Sequence, residues 1–238
     1  MNFIFRLIYV CVAVVGLAWG VWRFQLAQSE SPVVTIANAV ISGSEFDEKD
    51  IVAVLRSADG GPIATSCILK PLRARVILNL RLSETALSSL GGTAIAKAFE
   101  GLKNSVDDFR RCAVDDGFVD LAEYWLTIND GGSMQAALPM LQNSFLHAPG
   151  EGWIIGKRVW LAFGVFDALP SALQQRTIND VNRMLNARLI NETAELLIRL
   201  PPKIRTLVAN NLKSNSPQNI TELRGLLQRR AELGMILD

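Results

Sequence analysis

The stretch Phe118–Gly150, FVDLAEYWLTINDGGSMQAALPMLQNSFLHAPG, carries the pattern that decides the fold class. Its apolar residues recur at helical spacing on both sides of the turn sequence Asp130-Gly131-Gly132. Ser133 follows that turn, at a position where a helix N-cap residue is preferred. The two apolar stripes are Phe118, Leu121, Ala122, Trp125 and Ile128, then Ala137, Met140, Leu141 and Phe145. Two amphipathic helices joined by a short turn predict an antiparallel helix pair.

The same helical period continues through most of the remaining chain. Further helices are predicted after Pro71, after Thr93, and over Glu45–Arg56, Trp153–Leu169, Ser171–Leu185, Asn191–Leu200 and the segment that follows Ser216-Pro217. Trp153–Leu169 is apolar on nearly every face, which predicts a central core helix with Trp160 buried. Ser171 and Gln174 form a capping-box pattern. Pro32–Ser42 is compatible with either a strand or a helix. The sequence therefore predicts an all-α fold.

The helix pair around Phe118–Gly150 resembles a tetratricopeptide repeat. Residues of the expected type occupy the fourth, eleventh, twentieth, twenty-fourth, twenty-seventh and thirty-second positions of that motif: Leu121, Ile128, Ala137, Leu141, Ser144 and Pro149. Trp125 departs from the pattern, because the eighth position normally holds a small residue. The region from about 72 to 168 resembles a degenerate array of such repeats. The resemblance implies an α-solenoid of stacked antiparallel helix pairs over 71–238.

The chain also resembles uncharacterised membrane-anchored envelope proteins of rhizobium-like Gram-negative bacteria. Three segments carry this resemblance: Asp120–Thr127, Asn143–Ile155 and Phe163–Gln174. The resemblance implies a cell-envelope location and an association with surface polysaccharide export. It implies no catalytic activity.

Residues 1–30 predict a single transmembrane anchor, followed by a connecting segment with a short helix over 31–70. The run Leu7–Trp22 is uninterrupted and apolar, and Arg6 and Arg23 bracket it. About 20 apolar residues span a bilayer. The positive-inside tendency favours a cytoplasmic N-terminus, which would place the C-terminal domain in the periplasm, on the outer side of the inner membrane. A cleaved secretory signal is the alternative, although bulky aromatic residues crowd its cleavage region.

The charge of the body after residue 30 is balanced, with 22 basic and 22 acidic residues. Such a balance argues against nucleic acid as a partner, since nucleic-acid binding needs a basic surface. Residues 100–151, however, carry nine acidic and three basic residues, whereas 171–238 carry ten basic and six acidic residues. Ordinary helix surface explains this asymmetry; an acidic patch that faces a partner, or an acidic region that packs on the basic C-terminal part, is the alternative. The acids Asp115, Asp116, Asp120 and Glu123 superficially suggest a calcium site, but they lack the alternating oxygen ligands of an EF-hand loop, so they are interpreted as helix-cap groups.

No catalytic, metal-binding or cofactor-binding motif occurs in the sequence. The single histidine, His147, is predicted at a helix C-terminus, where it would interact with the last carbonyls. Spacings typical of zinc, phosphate-loop or dinucleotide sites are missing, so no cofactor is expected. Paired carboxylates have no local signature, and Asp116, Asp120 and Glu123 would share one helix face. A periplasmic glycan-cleaving enzyme therefore stays as the alternative to a non-enzymatic scaffold that binds another envelope protein.

Two of the three cysteines, Cys67 and Cys112, lie in the body outside the predicted anchor. A lone pair of cysteines in an oxidising compartment is a disulfide candidate. Two unrelated buried thiols are the alternative. Cys11 lies within the predicted anchor.

Overall fold

The computed structural model describes residues 2–59, 67–89, 92–212 and 216–232, and all regular secondary structure in these ranges is helical. A 3₁₀ turn at Phe166–Ala168 follows α7. The α-helices are α1 (Asn2–Ile41), α2 (Glu48–Asp59), α3 (Leu69–Ser88), α4 (Gly92–Arg110), α5 (Gly117–Asn129), α6 (Met134–His147), α7 (Gly152–Gly164), α8 (Ser171–Asn186), α9 (Ile190–Arg199), α10 (Pro202–Leu212) and α11 (Pro217–Glu232). The predicted all-α class is confirmed.

The chain forms two compact units, Met1–Val114 and Asp115–Asp238. The helical-repeat domain over 71–238 stays a prediction, and α3 and α4 of that range lie in the first unit. The C-terminal part of α1 packs against α3 and buries Val33 and Ala37. The segment Pro32–Ser42, compatible with strand or helix from its sequence, is thus mostly the end of a long helix.

In the first unit, α3 and α4 form an antiparallel pair. Ser83 Oγ donates a hydrogen bond to the Ala98 carbonyl at 3.1 Å. Closer to the start of α3, an Arg75 nitrogen lies 3.8 Å from an Asp108 carboxylate oxygen near the end of α4. Contacts that run in opposite directions along the two helices show the antiparallel arrangement. Between them lies a core that includes Leu72, Val76, Leu78, Leu80, Leu102 and Phe109.

In the second unit, α5 and α6 form the pair predicted from Phe118–Gly150. Asp116 caps α5 by accepting hydrogen bonds from the amides of Phe118 and Val119. Ser133 caps α6 by accepting from the Ala136 amide. The start of α5 lies against the end of α6, where a Cβ added to Gly117 would be 2.4 Å from the Ala148 Cβ. Glycine therefore permits the close approach of the two helix ends.

We expect Gly117→Ala to lower the free energy of unfolding by about 1–3 kcal/mol, because the new methyl group overpacks the contact with Ala148. Chemical denaturation of the full chain measures the change. Gly156→Ala in α7 is the matched control, since nothing lies within 4 Å of its added Cβ. A helix-interior glycine costs about 1 kcal/mol relative to alanine, so the control should be neutral or stabilising. Equal effects at the two positions would contradict the steric explanation.

The predicted core helix Trp153–Leu169 is α7 followed by the 3₁₀ turn. Its buried side chains include Ile154, Ile155, Val159, Ala162 and Phe163, as expected for a central helix. The prediction for Trp160 is wrong, because Trp160 is only half-buried and the Arg199 guanidinium lies 5.5 Å from its ring centroid. Arg158, a charged residue, is instead fully buried. An apolar helix sequence does not by itself say which of its side chains faces the core.

We expect Trp160→Ala to lower the free energy of unfolding by about 1–2 kcal/mol, less than the roughly 3–5 kcal/mol typical of a buried aromatic residue. Phe163→Ala, one turn further along α7 and 7% exposed, should reach that larger range. Denaturation of both variants in parallel compares the two sites. A loss at Trp160 as large as that at Phe163 would show that Trp160 belongs to the core after all.

Two local predictions for the C-terminal helices need correction. Pro170, not Ser171, occupies the N-cap position of α8, and no side chain caps this helix. The predicted capping partner Gln174 donates instead to the Phe166 carbonyl at 2.9 Å. Pro202 begins α10, a helix that the sequence patterns did not predict. Proline suits the first position of a helix because its missing N–H would have no partner there.

Within the part of the chain that the structure describes, no helix is both long and apolar enough to cross a membrane. Of the predicted anchor over 1–30, the structure describes the side chains of residues 9 and 11–21, and the other side chains lie outside the described part. Among the described side chains of α1, large apolar groups are exposed, with Tyr9 73% and Leu17 71% accessible.

Candidate functional site

The four acidic residues Asp115, Asp116, Asp120 and Glu123 lie at the start of α5 and just before it, but the fold gives them different environments. Asp116 is buried as the N-cap of α5, which agrees with the helix-cap interpretation. Asp120 is 1% exposed and points toward the end of α6. Asp115 is largely exposed and Glu123 half-buried. The four carboxylates therefore do not form one open acidic surface.

His147, the last residue of α6, joins two of these acids. Its Nδ1 lies 2.8 Å from Asp120 Oδ2, and its Nε2 lies 3.5 Å from Asp115 Oδ1. The expected role, contact with the last carbonyls of its own helix, is replaced by this contact with the neighbouring helix. The antiparallel packing of α5 and α6 explains it, because the end of one helix lies beside the start of the other.

The Asp120–His147 pair resembles the orienting half of a catalytic triad, in which a carboxylate holds an imidazole in place. A triad also needs a nucleophile within hydrogen-bond reach of the other ring nitrogen. Here the other nitrogen faces the Asp115 carboxylate. No group of three His, Cys, Asp or Glu side chains suited to a metal ion occurs among the described residues. The Asp120–His147 contact joins α5 to α6.

A buried polar cluster with several hydrogen bonds is centred on Arg158, and it was not predicted from the sequence. Arg158 Nε and Nη2 both donate to Asp180 Oδ2 on α8, at 2.9 and 2.6 Å. Its Nη1 donates to the Ser144 and Ala148 carbonyls at the end of α6, at 2.6 and 3.0 Å. One buried guanidinium on α7 therefore connects α6 and α8. It also lies 4.4 Å from the ring centroid of Phe145.

Burial acts on both charges of this pair. It lowers the pKa of Arg158, although Asp180 partly offsets the effect. Burial likewise raises the pKa of Asp180, although Arg158 and Arg183 oppose the shift. Moving two charges out of water is costly, and the pair recovers that cost only when its geometry and hydrogen bonds are good. The cluster is therefore sensitive to the loss of either partner.

Beside the Arg158 cluster, a groove of about 300 Å³ opens between the end of α6 and α8. Its lining residues are Phe145, Leu146, Pro149, Arg176, Asn179 and Arg183. We call it the α6–α8 groove. Leu146, which lines the groove together with Phe145, is 52% exposed. The groove combines an apolar wall with two exposed arginines and has no acidic lining residue.

A second cavity, of about 520 Å³, lies between the 3₁₀ turn, α8 and α10. Phe166, Ile204 and Leu207 supply its apolar wall, and Asp167 and Lys203 its charges. Neither this cavity nor the α6–α8 groove is lined by Asp116, Asp120 or Glu123. The paired-carboxylate chemistry weighed from the sequence therefore has no substrate cleft at either place.

In the first unit, the sulfur atoms of Cys67 and Cys112 are bonded, with the Cα atoms 5.2 Å apart. Cys67 comes just before α3 and Cys112 just after α4, so the bond closes the open end of the antiparallel pair. Among the described residues, Cys11 is the free cysteine.

Arg158, Arg176 and Arg183 were not predicted as site residues from the sequence. For Arg158 a signal existed, since an arginine inside an otherwise apolar helix must be either exposed or paired. Arg176 and Arg183 had no such signal, because they look like ordinary polar residues of an amphipathic helix. Comparison of the chain with protein-family models, with curated proteins and with solved structures finds no match.

Proposed function

We propose that this protein is a membrane-anchored, non-enzymatic helical scaffold that binds another cell-envelope protein. The observation that carries the proposal is the exposure of the apolar side chains in the first half of α1. Val12, Val15, Leu17, Trp19 and Val21 are all exposed. Large contiguous apolar surfaces on water-soluble proteins are rare and mark contact with a membrane or a partner. The length and hydropathy of Leu7–Trp22 favour the membrane.

A repeat-like architecture supports the binding role. Of the six tetratricopeptide-type positions, Leu121, Ala137, Leu141 and Ser144 are buried, Ile128 is half-buried and Pro149 is exposed. Helix-pair repeats expose extended surfaces and commonly bind peptides or proteins. The second unit has two concave surfaces, the α6–α8 groove and the cavity between the 3₁₀ turn, α8 and α10. Each has an exposed leucine among its lining residues. The expected partner is a protein of the same envelope compartment, and the resemblance to uncharacterised envelope proteins implies a link to surface polysaccharide export.

The orientation is tested by a reporter fused after Asp238. We expect alkaline phosphatase at this junction to be active, since it needs the oxidising side of the membrane, and a reporter that requires the cytoplasm to be inactive. The opposite pair of results would place the helical units in the cytoplasm. Release of the fusion into the soluble periplasmic fraction would indicate a cleaved signal instead of an anchor.

The binding role is tested by affinity capture of the tagged full chain from membranes, after cross-linking in intact cells. We expect one envelope protein to be enriched in the native capture and reduced when Leu146→Asp and Leu207→Asp are introduced together. Both side chains are about half exposed, so the change should leave the fold intact. An unchanged capture profile, together with hydrolysis of cell-wall or exopolysaccharide glycan by the purified chain, would reject the scaffold role.

A further inference from the structure

We propose that the α6–α8 groove binds an acidic peptide segment of the partner, with a carboxylate held by Arg176 and Arg183 and an adjoining apolar side chain against Leu146. This inference rests on the proposed function and specifies the partner's chemistry. It starts from the charge that the groove leaves unbalanced.

The charges around the groove do not cancel. Arg158 and Arg183 both pair with Asp180, and the Glu151 carboxylate also acts on Arg158, so these four groups balance. Arg176 adds a positive charge that they do not balance, and among the described residues it makes no hydrogen bond or ion pair. All lining residues other than the two arginines are uncharged. A groove lined by two arginines and by no acidic residue favours a negatively charged ligand.

Arg183 is held in a fixed position but retains free donors. Its Nη1 donates to the Pro149 carbonyl at 2.7 Å and to Asp180 Oδ1 at 3.0 Å. Both of these bonds use the same nitrogen, and the side chain is still 53% exposed. A guanidinium offers five N–H donors and binds a carboxylate through two of them. Pro149 and Asp180 therefore orient Arg183 without using its remaining donors.

The spacing on α8 brings the polar groups to one side of the groove. Arg176, Asn179 and Arg183 stand at positions i, i+3 and i+7, which share one helix face. Leu146 and Pro149 form the opposite, apolar side. A bare inorganic anion would use only the arginines. A peptide in which Asp or Glu adjoins Leu or Phe would use both sides, so the groove favours an acidic peptide.

The test uses the full chain in detergent micelles and an array of short synthetic peptides in three matched sets. In the first set Asp or Glu alternates with Leu or Phe, and in the second Asn or Gln replaces each acid. The third set has Lys in place of each acid. We expect the acidic set to bind roughly tenfold more tightly than the amide set, in line with a charge-assisted hydrogen bond. The preference should weaken as salt is added.

Variants assign the binding to the groove. Arg176→Gln should remove most of the preference for acidic over amide peptides, and Arg176→Lys should retain part of it. Arg224→Gln is the control, since Arg224 is an exposed arginine on α11 outside the groove. Equal binding of acidic and amide peptides would overturn the proposal, as would a preference that survives Arg176→Gln. Binding to anionic lipid vesicles with no binding to acidic peptides would also overturn it. If an envelope partner is still captured in either of these cases, the groove assignment fails and the scaffold role stands.

Discussion

Replacing Arg158 by methionine is expected to lower the free energy of unfolding by about 3–5 kcal/mol. The substitution leaves the buried Asp180 carboxylate with only the partly exposed Arg183, and it removes the donor to the Ser144 and Ala148 carbonyls. A loss of this size is a large part of the roughly 5–15 kcal/mol that holds a typical domain folded. Chemical denaturation of the full chain, followed by circular dichroism and by tryptophan fluorescence, measures it.

A double variant separates the ion pair from the packing around it. Arg158→Met combined with Asp180→Leu removes both charges and keeps apolar volume, so part of the lost stability should return. Arg199→Met is a matched control, because Arg199 is largely exposed, pairs with Glu195 in the preceding turn of α9 and otherwise lies over the half-buried Trp160 ring. An exposed pair of this kind contributes about 0.3–0.5 kcal/mol. A loss of less than about 1 kcal/mol for Arg158→Met would show that the interior adapts to the missing charge.

The effect of Arg158→Met should depend on pH. Burial already raises the pKa of Asp180 above its ordinary value of 3.8, and Arg158 is the strongest opposing charge. Without Arg158, the folded-state pKa of Asp180 rises further. A raised folded-state pKa contributes stability that is present below the unfolded pKa and is lost as pH rises through the folded pKa. The free energy of unfolding of the variant should therefore be closest to that of the native chain below about pH 4. The difference between the two should grow as the pH rises toward neutral.

Loss of the disulfide is the second large effect expected. Changing Cys67 and Cys112 together to serine should lower the free energy of unfolding by about 4 kcal/mol in the chain-entropy model, and engineered cases often give less. The bond connects residues 45 apart, so the unfolded chain regains considerable freedom when it is removed. Denaturation of the variant and of the native chain, with and without reductant, measures the difference.

Two controls accompany the disulfide experiment. Cys11→Ser removes the free cysteine and should leave stability unchanged. Reductant should destabilise the native chain and have no effect on the double serine variant. Mass spectrometry of unreduced protein, alkylated directly after cell lysis, should recover the two cysteine-containing peptides as one linked species. Two alkylated thiols at these positions would show that the bond does not form in the cell.

Local sequence patterns predicted the helices well where caps and periodicity agreed. Asp116 and Ser133 cap α5 and α6 in the structure, and the Gly-rich turn between these helices returns the chain as expected. Prediction failed where one residue type suits two roles. Pro202 begins a helix that was not predicted. Pro170, not the expected Ser171, is the N-cap of α8. Both failures involve proline. Proline is compatible with the first turn of a helix and also ends helices, so its presence does not indicate on which side of it the helix lies.

By itself, the sequence of this protein determined the all-α class, the α5–α6 pair and the balanced charge, because these depend on neighbours a few positions apart. Tertiary structure alone decided that Arg158 is buried against Asp180, that His147 meets Asp120, and that Arg176 and Arg183 share a groove with Leu146. These contacts join residues on different helices. Periodicity states which face of a helix is apolar, but the packing of one helix against another decides which polar side chains meet on the buried face.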